Sequence, residues 1–530
     1  MKYPIGIQDF KSIREDGFVY VDKTDLVYDM ATQGKIYFLS RPRRFGKSLL
    51  VSTLKYYFRG EHGLFKGLAI DKLETEWKQY PVFHLSFGPQ DFTQPDALYK
   101  AINYFISCAE QEYGLQTIEE TLSTRFLRVL HAAHEQTGLR CVVLIDEYDK
   151  PLLDVLDRPD TIRVNNVDKT FEEHNRDLLK GFYAVFKDAD PDLRFVLLTG
   201  VTKFSQVSVF SGFNQPNDIS MAPKFDALCG ITNQELHTVF ADSIRELADA
   251  MQTTEEDMKS LLQRQYDGYH FSRLMTDVYN PFSLLKAFDN QDVRDFWFQT
   301  GTPSYLLRLL EHCEENLNEM VGRYYSEPQF VDYKADVERP LPMIYQSGYL
   351  TIKEFDPDSR AYLLDFPNNE VTAGFVSLTA ASYLKSKESP QTWILQAQRA
   401  LKQGDTDDYR DLLAAFLSSI PYSARRHENE REQERYFQYT VYLLMRMMSV
   451  YTVYHEKHTS QGRADFVIET PRFVYIFEYK LDRPAAEAIR QIEEKGYARE
   501  YAQDPRPVYC IGCTFSSQTG TVGDWACQRQ

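Results

Sequence analysis

The sequence predicts an α/β protein in three parts, and three observations carry that reading. An apolar run, Lys35-Ile-Tyr-Phe-Leu-Ser40, passes through a short loop into Gly46-Lys47-Ser48 and a helix-patterned segment, the strand-loop-helix unit of a parallel sheet. From about residue 230 to 420 the apolar residues recur mostly at helical spacing. After residue 425 the patterned segments run helix, strand, strand, strand, helix, strand. Parts at 1–230, 231–424 and 425–530 follow, the last boundary falling before the polar run Arg425-Arg-His-Glu-Asn-Glu-Arg-Glu-Gln-Glu434. At roughly 150 residues per domain, a chain of 530 residues has room for three or four cores.

In the first part, the strand ending at Ser40 meets Arg41-Pro-Arg-Arg-Phe-Gly46-Lys47-Ser48, then the helical Leu49-Leu-Val-Ser-Thr-Leu-Lys-Tyr-Tyr-Phe58. A Gly-Lys-Ser at a helix start can hold phosphates through backbone N–H groups and the lysine, with the serine hydroxyl on magnesium. Arg41 stands where the usual first glycine of such a loop would be, and the bare tripeptide also begins ordinary helices. Arg43 and Arg44 either contact phosphates or meet the acidic surface. About 100 residues on, Arg140-Cys-Val-Val-Leu-Ile-Asp146-Glu147 reads as a buried parallel strand with paired carboxylates at its C-terminal end, where ligands bind in open α/β sheets. Asp146 would hold magnesium through water, and Glu147 would polarise the attacking water. A third strand, Arg194-Phe-Val-Leu-Leu-Thr199-Gly200, ends in a polar residue suited to sense a γ-phosphate. A threonine in a buried strand also serves without chemistry.

The middle part carries helical spacing at Asn233–Gln252, Glu255–Tyr266, Pro281–Asp289 and Ser304–Leu317. Strand-like Tyr349–Lys353 and Ala361–Asp365 predict a hairpin in a winged or lid-like module. No residue set there names a reaction.

In the last part, Glu434 starts a helical segment on the same stripe as Phe437 and Val441, although Glu430, one turn earlier, competes for the role. Strands follow at Tyr451–Glu456, Ala464–Glu469 and Phe473–Lys480, then a helix over Ala485–Tyr501 and a strand over Val508–Ile511. Alternation puts Glu478 and Lys480 on the face that carries Val474 and Ile476, and the turn at Thr470-Pro471 would bring Asp465 beside Glu478. Charge on so apolar a surface is costly unless paired. Two carboxylates can hold a hard divalent cation such as magnesium and a lysine can neutralise charge on a phosphate, the equipment of phosphodiester hydrolysis. A salt-bridged hairpin without catalysis would use the same residues.

The αβββαβ order, with Glu434, Asp465, Glu478-Tyr-Lys480 and Gln491, resembles the PD-(D/E)XK nuclease superfamily over about the last 105 residues. The resemblance implies Asp465 and Glu478 as metal ligands, Lys480 as the catalytic lysine, Glu434 as an accessory ligand and Gln491 as a supporting or substrate residue. Tyr497 reads as a core aromatic. Upstream, Tyr20-Val-Asp22-Lys23-Thr24, Arg43-Arg-Phe-Gly46-Lys47-Ser48, Phe210-Ser-Gly-Phe-Asn214 and Tyr266-Asp-Gly-Tyr-His-Phe271 resemble the AAA-ATPase-like family that commonly precedes this nuclease type. That resemblance spans roughly residues 3 to 290 and implies ATP as the nucleotide, with binding more secure than hydrolysis because of Arg41.

Composition narrows the rest. A net charge of −17 argues against a protein coated in basic nucleic-acid-binding surface, but residues 425–530 hold about 15 basic and 15 acidic side chains, so the excess lies upstream. Seven scattered cysteines read as free thiols in a reducing compartment, and the lone Cys510/Cys513 pair lacks the partners of a zinc site. The N-terminus has no apolar signal region and no window suits a membrane span, so a cytoplasmic protein is expected. Together these predict an ATP-binding ATPase joined to a magnesium-dependent nuclease acting on nucleic acid, DNA in preference to RNA. The alternative is a nucleotide-switched regulator whose nuclease fold does not cut, and self-association into a homo-oligomer stays open.

Overall fold

Every residue of the strand Cys141–Asp146 is buried, as a parallel strand covered on both faces requires. It pairs in parallel with Val82–Ser86 on one side and Leu193–Gly200 on the other. Leu193–Gly200 also pairs with Ile36–Ser40, and the short Asn217–Asp218 completes a five-stranded parallel sheet. The strand ending in Thr199-Gly200 therefore lies between the strand that feeds Gly46-Lys47-Ser48 and the strand that ends at Asp146. The C-terminal ends of all three open on the same side. The computed structural model describes residues 1–156, 158–164, 166–203, 216–299, 320–331, 340–375, 390–420, 437, 440–441, 444–445, 452–459 and 462–530.

Helix Lys47–Phe58 starts at Gly46, whose φ of 92° is natural only for glycine, and it buries Leu50, Val51, Leu54 and Phe58 toward the sheet. The expected Asn233–Gln252 helix is instead two helices, Asn233–Val239 and Ala241–Ala250, broken at Phe240 with φ −112° and ψ 18°. Phe240 is fully buried and stacks on Phe288. Packing of that ring, not a proline or glycine, interrupts a sequence whose periodicity runs straight through. Helix Glu255–Tyr266 is as expected, and Pro281–Asn290 begins at an Asn280 cap that accepts from the N–H groups of Phe282 and Ser283. The Ser304–Leu317 segment lies outside the described residues. The expected hairpin is Thr351–Asp356 against Ala361–Asp365, with Arg323–Ser326 added as a third strand.

Two compact units emerge, Met1–Glu370 and Val371–Gln530, whereas the sequence expectation drew its lines at 230 and 424. The helices after residue 230 belong with the parallel sheet because Phe45 of the phosphate loop packs edge-on against Tyr269 and Phe271. Helices Pro390–Gln403 and Thr406–Ser419 belong with the C-terminal sheet: Tyr409 is fully buried against Phe477 and Trp525, and the Tyr475 hydroxyl donates to Leu401 O at 2.6 Å. Apolar faces decide this division.

The C-terminal sheet runs in the order Thr452–Thr459, Gly462–Glu469, Val474–Leu481, Val508–Ser516, Thr521–Arg529. The pair Val474–Leu481 and Val508–Ser516 is parallel and the other neighbours are antiparallel. The last strand was not anticipated. On one face Val467, Val474, Ile476 and Cys510 pack with Ile489 and Ile492 of the helix Ala485–Lys495. That helix stops earlier than expected, at Gly496 with φ 62°, and a 3-10 turn carries Tyr497–Tyr501. Tyr497 joins the same core. On the other face Tyr479 stacks on Phe515, which stacks on Phe437. Phe437, Val441, Leu444 and Met445 are buried at helical spacing, the apolar stripe of the expected first helix. Cys510 and Cys513 lie three apart on one strand, so they face opposite sides and cannot share an ion.

Candidate functional site

The first centre forms where the parallel strands end. A cavity of about 410 Å³ is lined by Arg43, Arg44, Gly46, Lys47, Ser48, Glu147 and Asp149 on its polar side. Pro4, Ile5, Ile7, Phe282, Leu285 and Trp297 supply apolar walls. A mostly apolar pocket with a few convergent polar groups is the usual form of a small-molecule site. Lys47 is buried, and its ammonium rests on the carbonyls of Arg41 at 2.9 Å and Pro42 at 3.0 Å. Burial lowers its pKa, and the charges of Asp146, Asp149 and Glu147 oppose that.

Asp146 and Thr199 sit beneath this cavity, not in its wall. The Thr199 hydroxyl donates to Asp146 Oδ1 at 2.6 Å, and the Glu147 N–H donates to the same oxygen at 3.1 Å. Glu147 has φ 55°, a left-handed conformation rare outside glycine and costly unless its surroundings impose it. Burial, then the neighbouring Asp146 charge, raises the Glu147 pKa. A carboxylate so placed is a stronger base than an exposed one.

Arg41, which replaces a small residue of the usual loop, does not crowd the cavity. It is 1% exposed and is not among the residues that line the cavity. Its guanidinium donates to Ser40 O at 3.0 Å, Ser220 O at 2.6 Å and Phe225 O at 3.2 Å, and lies 4.0 Å from the Phe271 ring centre. The Trp297 indole N–H holds the Arg43 carbonyl at 3.2 Å. The Tyr266–Phe271 motif thus backs the loop, packing Tyr269 and Phe271 on Phe45. The Phe210–Asn214 motif lies outside the described residues.

The second centre lies on the C-terminal sheet. Phe466 pairs with Phe477, a register that brings Asp465 level with Glu478 across the Thr470-Pro471 turn. The Tyr479 N–H donates to Asp465 Oδ2 at 2.8 Å. Lys480 donates to Glu478 Oε1 at 3.0 Å and to Gln491 Oε1 at 2.8 Å, while the Gln491 amide N–H donates to that same Glu478 oxygen. Glu478 is 2% exposed, and its other oxygen, Oε2, is buried with no hydrogen-bond partner of good geometry among the described residues. Burial first, then the Asp465 charge, pushes the Glu478 pKa up to about 7, against the pull of Lys480. Among the described residues no group of three His, Cys, Asp or Glu side chains converges as a cation site. Glu434, the third carboxylate expected, and its competitor Glu430 lie outside the described residues.

A buried carboxylate oxygen without a donor is costly in a fold that offers it nothing else. Asp465 and Glu478 would hold a divalent cation there, and the donor set fits a hard cation.

Known proteins bear on both centres. A family model described as predicted AAA-ATPase matches residues 4–210, and the model of the PD-(D/E)XK nuclease superfamily matches residues 432–525. A protein of Azotobacter chroococcum mcd 1, described as an uncharacterized protein in the vnfD 5′ region, is 34% identical over 526 residues, 98% of each chain. This chain is an AAA-ATPase-like family protein with a C-terminal PD-(D/E)XK nuclease domain. The two matched segments hold the two centres: Gly46, Lys47, Ser48, Asp146, Glu147 and Thr199 in the first, Asp465, Glu478, Lys480 and Gln491 in the second. No helix among the described residues is long and apolar enough to cross a membrane, and the six described cysteines are free thiols.

Sequence reading missed Asp149. It is a buried carboxylate in the cavity wall, and the signal was present as the third acid of Asp146-Glu-Tyr-Asp149. It also missed the roles of Trp297 and Arg41, which no local pattern distinguishes from core and surface residues.

Proposed function

We propose that the chain is an ATP-hydrolysing enzyme joined to a magnesium-dependent nuclease that cleaves DNA phosphodiester bonds, with nucleotide state controlling cleavage. The observation that supports the nuclease reading best is the buried Glu478 Oε2, with no well-formed hydrogen bond among the described residues, beside Asp465 and with Lys480 fixed next to it.

In the first unit, Lys47 exchanges its loop carbonyls for phosphate oxygens, and the N–H groups at the start of helix Lys47–Phe58 take the others. Ser48 would hold the cation directly and Asp146 through water. Glu147 accepts the proton of the attacking water, and Thr199 fixes the Asp146 carboxylate from below. In the second unit, Asp465 and Glu478 would hold the cation. Lys480 faces the scissile phosphate and offsets its developing charge, and Gln491 keeps the ammonium in place. Magnesium supplies charge neutralisation on phosphate oxygens at both centres and a more acidic water at the second.

The test is cleavage of plasmid and linear DNA by purified protein, with an RNA substrate alongside, in magnesium or EDTA and with or without ATP. Lys480→Ala should lower cleavage by about 100-fold or more while ATP hydrolysis persists. Lys47→Ala should abolish ATP binding and remove the nucleotide dependence of cleavage. Cleavage unchanged by Lys480→Ala would overturn the nuclease assignment. Failure of the unaltered protein to bind ATP would overturn the other.

A further inference from the structure

Asp149, three residues past Asp146, takes no step in the chemistry above. It is 1% exposed, yet it lines the same cavity as Lys47 and Glu147. A single oxygen, Oδ2, accepts from the N–H of Val201 at 2.9 Å, the N–H of Thr202 at 2.6 Å and the Thr202 hydroxyl at 2.8 Å. Its neighbour Tyr148 adds two further ties to the same strand end. The Tyr148 N–H donates to Thr199 O at 2.9 Å, and its hydroxyl donates to Thr202 O at 2.9 Å.

The approach is close enough to specify glycine on the facing strand. A Cβ at Gly200 would lie 2.7 Å from Asp149 Oδ1 and 2.7 Å from the Tyr148 ring. Segments 146–149 and 199–202 are therefore joined as one rigid corner, with Thr199–Asp146 at one end and Thr202–Asp149 at the other. Burial raises the Asp149 pKa, while the Thr202 hydrogen bonds and the Lys47 charge act the other way. A carboxylate buried for stability alone would be poorly placed here, because an apolar side chain of similar size fills space at lower desolvation cost.

We propose that Asp149 is a positioning residue for ATP hydrolysis, its Oδ2 setting the Thr199–Thr202 strand end on the Asp146–Glu147 turn so that Thr199 and Glu147 serve one phosphate. The inference rests on the ATPase reading of Lys47, Asp146 and Glu147. It follows from the atom used: all three donors converge on one oxygen, so an asparagine with its carbonyl in that place keeps every bond, whereas alanine keeps none. Misplacing a reacting group by about 1 Å costs on the order of 100-fold in rate.

The experiment compares Asp149→Asn, Asp149→Ala and Thr202→Val in the full chain, measuring kcat and KM for ATP hydrolysis and the affinity for a fluorescent ATP analogue. Asp149→Ala should lower kcat by about 30- to 100-fold with analogue affinity within about threefold of the unaltered protein. Asp149→Asn should stay within about fivefold in kcat, and Thr202→Val, which removes one donor, should lose about three- to tenfold. Rescue by asparagine together with the kcat-only loss is what general destabilisation would not produce. If Asp149→Ala does not fold, the asparagine and Thr202→Val results carry the test.

Unchanged kcat in Asp149→Ala or in Thr202→Val overturns the positioning role. So does an asparagine variant as impaired as alanine, which would place the function in the charge toward Lys47. A parallel loss of analogue affinity would overturn it too. Absence of hydrolysis by the unaltered protein overturns the ATPase reading itself, a result distinguishable from all of these.

Discussion

Replacing Glu478 by glutamine separates what the buried carboxylate costs the fold from what it offers a cation. Its pKa is raised from 4.5 to about 7, so between those values the folded chain keeps a proton that the unfolded chain has released. Stability therefore falls as pH rises from about 4.5 to about 7 and is level above that. The shift of about 2.5 pKa units corresponds to roughly 3 kcal/mol of destabilisation at pH 8 in the absence of a cation. Glutamine removes that cost and keeps an Oε1 that can accept from Lys480 and Gln491. It also puts an amide N–H where the orphaned Oε2 lies, a loss of about 1 kcal/mol. The net gain at pH 8 is about 2 kcal/mol, or roughly 30-fold in the opening equilibrium, and it shrinks to nothing near pH 5.

Hydrogen exchange of the amides in Val474–Leu481 reads this directly, with EDTA present and rates corrected for pH. Slower exchange in Glu478→Gln at pH 8, and none of that advantage at pH 5, is the expected result. Adding magnesium should then reverse the order, protecting the unaltered strand and leaving the variant as it was. A variant less protected than the unaltered protein at pH 8 in EDTA would refute the claim that this carboxylate is held against its preference. Equal protection of both by magnesium would refute its role as a ligand.

Magnesium affinity at the second centre, followed by calorimetry, should weaken by up to about tenfold per pH unit below about 7, because the cation competes with the Glu478 proton. Thr199→Val removes the 2.6 Å bond to Asp146 and should lower ATP turnover by about 10- to 100-fold with nucleotide affinity within a few fold, as steady-state kinetics and binding will show. Gly200→Ala forces a methyl group into Asp149 and Tyr148 and should cost the first unit about 1–3 kcal/mol in urea unfolding; a neutral result would contradict the packing described for that corner. Tyr475→Phe loses the hydroxyl bond to Leu401, and about 1 kcal/mol of weakened protection should appear in helix Pro390–Gln403, with no change there sinking the assignment of that helix to the C-terminal unit.

What could be read from the chain beforehand was whatever short-range pattern determines. Cys141–Asp146 announced a doubly covered parallel strand because six consecutive residues had to be buried. Alternation along Val474–Leu481 put Glu478 and Lys480 on one face, and the Thr470-Pro471 turn set the register that places Asp465 level with Glu478. The break at Phe240 was not legible, since it depends on a ring of Phe288 nearly fifty residues away. Nor was the assignment of Pro390–Gln403, whose partner Tyr475 is 74 residues distant. Arg41 made hydrolysis look less secure than binding because sequence shows where a side chain starts but not which way it leaves the backbone.

The two centres solve the same electrostatic difficulty in opposite ways, and this bears on how each would respond to its ligand. Lys47 is a buried cation resting on neutral carbonyls of its own loop, so the arrival of phosphate replaces weak acceptors with anionic ones and strengthens every contact it makes. Lys480 already holds a carboxylate and an amide oxygen. A cation arriving on Glu478 would compete for that carboxylate and release part of the lysine's hold, turning the ammonium toward an incoming phosphate. The first centre is thus ready for a charged ligand without preparation. The second would have a free ammonium only once the carboxylate pair is neutralised, so in the proposed nuclease a cation on Asp465 and Glu478 would be expected to precede substrate. Order-of-addition kinetics should show a lag when DNA is added before magnesium and none when magnesium comes first; identical progress curves would remove this distinction between the two lysines.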